Sequence, residues 1–359
     1  MGFFGRNSSD KKIFMKKVLL YFYYIMSKIG VIRMFYWLNR HKSIVLTYHN
    51  IIPDHLFDDS VHLGVSHSVS VFESHLSLVK RRFLNNKIKS KVCLTFDDGY
   101  KNQYALASKI LEKYGLQGVF FISFKPIIDR LPLIIDKIMM WVSYVPFGDY
   151  TIFNHLFLIH KENRHQIASQ LYQKLLDNYS LWDTIEAELN KAYSFDRLTI
   201  NTELKKLRFD PLDSSDLLEL IKNGHHVAAH SWDHRPLATL PKVQQEKDFA
   251  LCKKYAEKYC NSNWYSYPFG GKEEVSEETI RLCKEHGFSV AYMNNEILMK
   301  YPKADAQYQL PRTTLPNHNN YYLLDAKLSG FEFFCKACIK NLLLLRKLFQ
   351  WKKMITSNG

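Results

Sequence analysis

The sequence is poor in cysteine, with six among 359 residues and no dense spacing. That excludes a small disulfide-stapled scaffold, and a chain of this length does not need staples. Cys335 and Cys338 form a lone C-x-x-C. It lacks the second pair of a zinc ribbon and the preceding strand of a redox motif, so both read as ordinary apolar residues. Long hydrophobic runs are also missing. The longest uncharged run in the N-terminal segment, Val18 to Ser27, has ten residues, against ~18–20 for a membrane span. No small-residue cleavage site follows it, so no secretory signal is expected. There is no solenoid-length repeat and no low-complexity tract. With 47% hydrophobic residues the chain is a globular one with a substantial core.

Acidic charge is scarce only at the ends. The formal net charge of +14 invites a nucleic-acid reading. Yet residues 1–43 carry +8, residues 331–359 carry +5, and the body between them only +1. A neutral body with apolar, basic ends argues against a nucleic-acid partner. "KKIFMKKVLLYFYYIMSKIGVIRMFYWL" mixes lysines with aromatic residues, and "FFCKACIKNLLLLRKLFQWKK" spaces Phe334, Cys338, Leu342, Leu345 and Phe349 as a helix would. Basic amphipathic segments of this kind suit the interface of an anionic membrane. The plainer alternative is packing on the body or on a partner. Reduced thiols and no secretory signal place the expected site of action on the cytoplasmic face of the inner membrane, or else free in the cytoplasm.

Three stretches repeat one local pattern, a helix-like segment ending in glycine and followed by an apolar strand: "ASKILEKYGLQGVFFIS", "LLELIKNGHHVAAH" and "TIRLCKEHGFSVAYM". Gly115, Gly224 and Gly287 stand where a left-handed helix cap is needed. Alternating strands and helices imply an α/β fold of parallel strands. Further strand candidates are 43–48, 91–96, 264–267 and 308–312. Residues 126–208 have helical spacing and little strand character, and read as a mostly helical insertion. The remaining body, within 44–330, is close to the lower size bound of a full barrel.

Polar residues cluster at strand ends. "KVCLTF" runs into Asp97-Asp98-Gly99, "HHVAA" into "HSWDH", "SIVLTY" into His49, and "WYSY" into Pro268-Phe269-Gly270-Gly271. Asp-Asp-Gly alone is good turn chemistry. Four predicted strands delivering such residues at their C-terminal ends mark the ligand face of an α/β fold. His230 and His234 with a carboxylate from another strand make a three-ligand set with an open position, the layout of a catalytic zinc. Such a metal lowers the pKa of its water and polarises a carbonyl. The paired acids then divide the work, Asp98 as ligand and Asp97 as base. His49 is placed to protonate a leaving group.

These residues resemble the polysaccharide deacetylases of carbohydrate esterase family 4. "TFDDG" is similar to the family's first motif, "HSWDH" to its second, and "YSYPFGG" to its third, in the expected order across roughly 44–330. The resemblance implies a distorted (β/α) barrel, usually of seven strands, and hydrolysis of N-acetyl groups from amino sugars with a bound divalent metal. It implies Asp97 as general base, Asp98, His230 and His234 as metal ligands, and the backbone N–H of Phe269 as an oxyanion donor. Two features depart from the pattern. No arginine precedes the third motif, and Arg312 in "LPRTTLP" is the candidate substitute. No Leu-x-His motif ends the body, but "IVLTYH" resembles that motif moved to the front, as in biofilm poly-N-acetylglucosamine deacetylases. His49 is then the general acid.

The resulting expectation is a metal-dependent de-N-acetylase using Zn²⁺, with Co²⁺ or Ni²⁺ also able to fit Asp-His-His ligation. Its substrate is an N-acetylated amino-sugar glycan. If the basic ends lie on a membrane, a lipid-linked precursor fits better than finished polymer. The alternative is a sugar-binding or scaffold protein on the same barrel, inactive for want of the arginine.

Overall fold

The computed structural model describes residues 8–58, 65–84, 91–298 and 304–341. Apolar runs too short for helices become strands buried on both faces, as parallel sheets require. They are β1 (Ile44–Tyr48), β2 (Val92–Phe96), β3 (Val119–Ile122), β4 (His226–Ala229), β5 (Trp264–Ser266), β6 (Val290–Met293), β7 (Leu310–Pro311) and β8 (Thr313–Thr314). They lie in the order β7-β6-β5-β4-β3-β2-β1-β8, and every pairing is parallel. β3 shows the local logic. Its four residues are all buried, and the preceding helix Lys109–Tyr114 ends on Gly115 at φ +69°, which sets the tight return into the strand.

The two edge strands are neighbours in the chain. β7 pairs with β6, Arg312 follows, and β8 pairs with β1. One segment therefore wraps the sheet into a distorted barrel, with Arg312 at its seam. The sheet has eight strands where seven were expected, because this last stave is broken in two at Arg312.

The insertion departs from expectation in one respect. Its helices, among them Ile134–Tyr144, Arg164–Asp177 and Ile185–Ala192, enclose a core of their own built on Trp141, Leu171, Trp182 and Leu189. It also carries an antiparallel hairpin, Gly148–Ile152 with His155–Ile159. The turn residues Phe153 and Asn154 both have positive φ, 49° and 59°. Two-residue hairpin turns of that kind normally advertise themselves as Asn-Gly, and Phe-Asn hides the signal.

A buried ion pair joins the start of the insertion to its end, and a barrel tyrosine meets it there. Asp136 and Arg208, 1% and 2% exposed, meet at 2.8 Å, and the Tyr100 hydroxyl donates to the same Asp136 oxygen at 3.1 Å. Burial pushes the Asp136 carboxyl up, against the pull of Arg208. Removing the guanidinium strands a buried carboxylate. Arg208→Met should therefore cost about 3–5 kcal/mol in denaturant unfolding. The double variant with Asp136→Asn should recover much of that loss. A single-variant loss near zero would show that the pair carries no such weight.

The N-terminal segment forms two helices, α1 (Ser8–Lys28) and α2 (Val31–Leu38), with a 73° bend between their apolar parts. Tyr23, Ile32 and Tyr36 are buried in the barrel's core, and the Tyr36 hydroxyl donates to Asp325 at 2.9 Å. Among the described residues no single helix is long and apolar enough to cross a membrane, although the bent pair is, by length and composition. Residues 331–341 are helical. The rest of the C-terminal amphipathic segment, with Leu342, Leu345 and Phe349, lies outside the described residues.

Candidate active site

Each sequence-predicted site residue leaves a strand at the same end of the barrel. β2 delivers Asp97 and Asp98, which are 1% and 6% exposed. Asp98 sits at φ +81°, a conformation disfavoured for a side chain bearing Cβ and typical of sites where geometry overrides local preference. β4 delivers His230 and His234, both buried, with Ser231 and His234 also at positive φ. The His234 N–H donates to the Ser231 hydroxyl at 2.9 Å, which closes the loop on itself.

Asp98, His230 and His234 converge. The Asp98 Oδ1 atom lies 2.9 Å from His234 Nε2 and 3.3 Å from His230 Nε2, and the three ligand atoms fall within 4.8 Å of one another. His230 Nδ1 lies 2.7 Å from the Ser266 carbonyl. Donating there fixes the tautomer and leaves Nε2 with its lone pair aimed at the cluster. Asp98 Oδ1 is buried and makes no hydrogen bond of proper geometry. The lone pair of His230 Nε2 and the Asp98 oxygen 3.3 Å away repel each other unless a cation lies between them. The donor set thus fits a divalent metal with an open coordination position.

Asp97 lies beside this cluster, its Oδ2 3.9 Å from His230 Nε2. Arg312 grips it with two parallel bonds, 2.7 Å to Oδ1 and 2.6 Å to Oδ2. Burial would raise the Asp97 carboxyl, but the charge of Arg312, and then of His230, brings it below the ordinary aspartate value. Burial likewise opposes ionisation of Asp98, and the histidines beside it pull it well below the usual range. His49 ends β1, half-buried, with its Nδ1 unpartnered. Burial lowers its pKa while the charges of Asp98 and Asp97 act the other way.

The third segment supplies a wall. Phe269 is at φ +60° and Gly270 at φ +66°. A Cβ on Gly270 would lie 2.9 Å from the Asn294 backbone nitrogen, so only glycine fits. The Phe269 ring packs 4.9 Å from His234 and 5.0 Å from Tyr172 of the insertion. Its carbonyl accepts from Asn294 at 2.6 Å.

Several supporting residues escaped the sequence reading. Asn294 accepts from Arg312 at 3.1 Å as well as holding Phe269. It directly follows β6, so the strand-end pattern that marked the other residues marks it too. Ser266 lies within β5 and had no such signal. Asp248 accepts from the N–H groups of Trp232 and Asp233, at 3.0 and 3.3 Å, and so holds the loop that carries the ligand histidines. Burial pushes its carboxyl up to about 7. It sits mid-helix in Lys242–Tyr259, where nothing distinguishes it from a solvated acid.

Residues 85–173 and 184–291, more than half of the chain, match the polysaccharide deacetylase family. The chain belongs to the polysaccharide deacetylases. Family membership makes it a hydrolase of acetyl groups on a polysaccharide. No curated protein matches at a significant level. Among solved structures, this deacetylase is similar to the Streptococcus pyogenes deacetylase PplD in complex with acetate, at 17% identity and TM-score 0.48 over 79% of this chain and 96% of that one. It is similar to IcaB from Ammonifex degensii at 14% identity and TM-score 0.47, over 80% and 97% of the two chains. A de-N-acetylase from Aggregatibacter actinomycetemcomitans is similar at 14% identity and TM-score 0.46, over 77% and 96%. In this deacetylase no arginine precedes the third motif, and Arg312 reaches Asp97 from the barrel seam.

Proposed function

We propose that the protein is a metal-dependent de-N-acetylase of an amino-sugar glycan, acting on a lipid-linked precursor of a surface polysaccharide at the cytoplasmic face of a membrane. The observation that carries the hydrolytic reading is the buried convergence of Asp98, His230 and His234 beside an Arg312-clamped Asp97. A divalent metal on those three ligands supplies Lewis acidity and makes water nucleophilic near neutral pH. Zn²⁺ suits the donor set best, and Co²⁺ or Ni²⁺ also fit.

The residues divide the remaining work. Asp97, kept ionised by Arg312, accepts the proton of the attacking water as its oxygen bonds to the acetamide carbon. Among the described residues the Phe269 N–H meets no acceptor, so it is free to donate to the oxyanion that develops. His49 gives its proton to the departing nitrogen as the C–N bond breaks. Acetate and a free amino sugar result. The inert sugar-binding alternative rested on the missing arginine, and the two bonds from Arg312 to Asp97 support the catalytic reading over it. The basic, apolar ends support the lipid-linked substrate, and the six free thiols support the cytoplasmic side.

Elemental analysis of purified protein, paired with acetate release from soluble and lipid-linked N-acetylated amino sugars, tests this. Wild type should hold stoichiometric metal. His230→Ala should lose both metal and turnover. His49→Ala should keep its metal and lose about 10²–10⁴ in turnover. Wild type without metal after zinc is restored would sink the hydrolytic reading. Equal rates on soluble and lipid-linked sugars would remove only the lipid-linked part.

A further inference from the structure

The two N-terminal helices have two faces. Ile32 and Tyr36 of α2 are buried in the core, and a helix places Arg33, Met34, Trp37 and Leu38 on the side away from them. Met34, Trp37 and Leu38 are 48%, 59% and 51% exposed. On α1, Val18 and Tyr21 are 47% and 65% exposed. An apolar face left in water on helices already anchored by their other face is unusual for a soluble surface.

Beside that face lies a cavity of about 420 Å³. It is lined by Lys28, Arg33, Arg81, Arg82, Tyr321 and Tyr322, and by no carboxylate. Arg82 is committed to Asp325, with Nε to Oδ1 at 2.8 Å and Nη2 to Oδ2 at 2.5 Å. Arg81 stacks over the Tyr321 ring at 4.6 Å, and Lys28 stands 5.5 Å from the Tyr24 ring. Among the described residues none of Lys28, Arg33 and Arg81 has a carboxylate within ion-pair distance, whereas Arg82 does. Three cations without a carboxylate partner among the described residues, lining the cavity with Tyr321 and Tyr322, suit a phosphate diester.

We infer that this cavity takes the phosphate of an anionic lipid, while Trp37, Leu38 and Met34 enter the headgroup layer beside it. The cationic and apolar parts together select a bilayer. A second copy of this chain would set like charges against each other. A soluble phosphate would leave the apolar face uncovered. Indole and long aliphatic side chains are the groups that favour the interfacial layer. The inference deepens the membrane contact proposed above and rests on it, and it is independent of the hydrolytic chemistry.

The test is co-sedimentation of the full chain with vesicles of phosphatidylcholine alone and of phosphatidylcholine mixed with phosphatidylglycerol. Wild type should bind the mixed vesicles more tightly, and less so as salt rises. The Arg33→Glu/Arg81→Glu variant should lose about 10–100-fold in partition onto mixed vesicles. Trp37→Ser/Leu38→Ser should weaken binding to both. All four residues are exposed and remote from the metal ligands in sequence, so acetate release from a soluble amino sugar should be unchanged and shows that each variant is folded. Wild-type binding by both variants would overturn the inference and place membrane contact elsewhere in the chain. Absence of vesicle binding by wild type would remove the membrane contact altogether. Saturable binding of inorganic phosphate without vesicle binding would also overturn it, by making the cavity a site for a soluble anion.

Discussion

Asp97→Asn should lower acetate release by about 10²–10⁴-fold while the protein keeps its metal. The carboxylate and carboxamide are nearly isosteric, and the three ligand atoms belong to Asp98, His230 and His234, so the substitution leaves the donor set whole. It removes the group able to accept the water's proton. An amide oxygen still accepts one bond from Arg312, but the amide nitrogen cannot accept the other. The guanidinium therefore loses half of a buried two-pronged contact, and some loss of stability should accompany the loss of rate. Unfolding midpoints separate the two effects, since turnover measured well below the transition reports chemistry alone. Metal content equal to wild type with turnover reduced to background is the expected pair of results. Substantial turnover in Asp97→Asn would mean that another group accepts the proton, and the division of labour between the two aspartates would fall.

The strand ends were the legible part of the molecule. His49, Asp97, Asp98, His230, His234 and Phe269 each follow a short apolar run, and a parallel sheet gathers such positions at one edge whatever the separation in sequence. The glycine-capped helices before β3, β4 and β6 were legible for the same local reason. What escaped depends on packing between distant segments. Ser266 reaches His230 only through its backbone carbonyl, which carries no residue identity. Asp248 lies on a helix surface pattern and matters only because the His230–His234 loop turns back onto it. The hairpin in the insertion hid behind a Phe-Asn turn, and the break of the last strand at Arg312 follows from barrel closure, a property of the whole sheet. The two N-terminal helices show a similar limit. Their composition announced an amphipathic segment, but a helix with one face on the core and another in solvent satisfies both packing and membrane readings at once.

Arg312 should be the most sensitive single position in the barrel. It is 1% exposed and makes both of its carboxylate bonds to a residue 215 positions away. Its backbone N–H also donates to the Met293 carbonyl at 3.0 Å, at the point where β7 gives way to β8. Arg312→Met fills the volume but leaves Asp97 buried without a counter-charge, and removing one partner of such a pair costs about 3–5 kcal/mol. Burial, no longer opposed by the guanidinium, would then favour the protonated carboxyl, so turnover should fall as steeply as in Asp97→Asn even in the fraction that remains folded. Arg312→Lys separates charge from geometry. An ammonium restores a positive charge but cannot form two parallel bonds to one carboxylate or reach Asn294 at the same time. It should therefore recover part of the stability and little of the rate. Denaturant unfolding of the three proteins, with acetate release measured on the same preparations, gives both quantities. A lysine variant with wild-type turnover would show that Asp97 needs only a nearby charge, and that the fork at the barrel seam does not orient it.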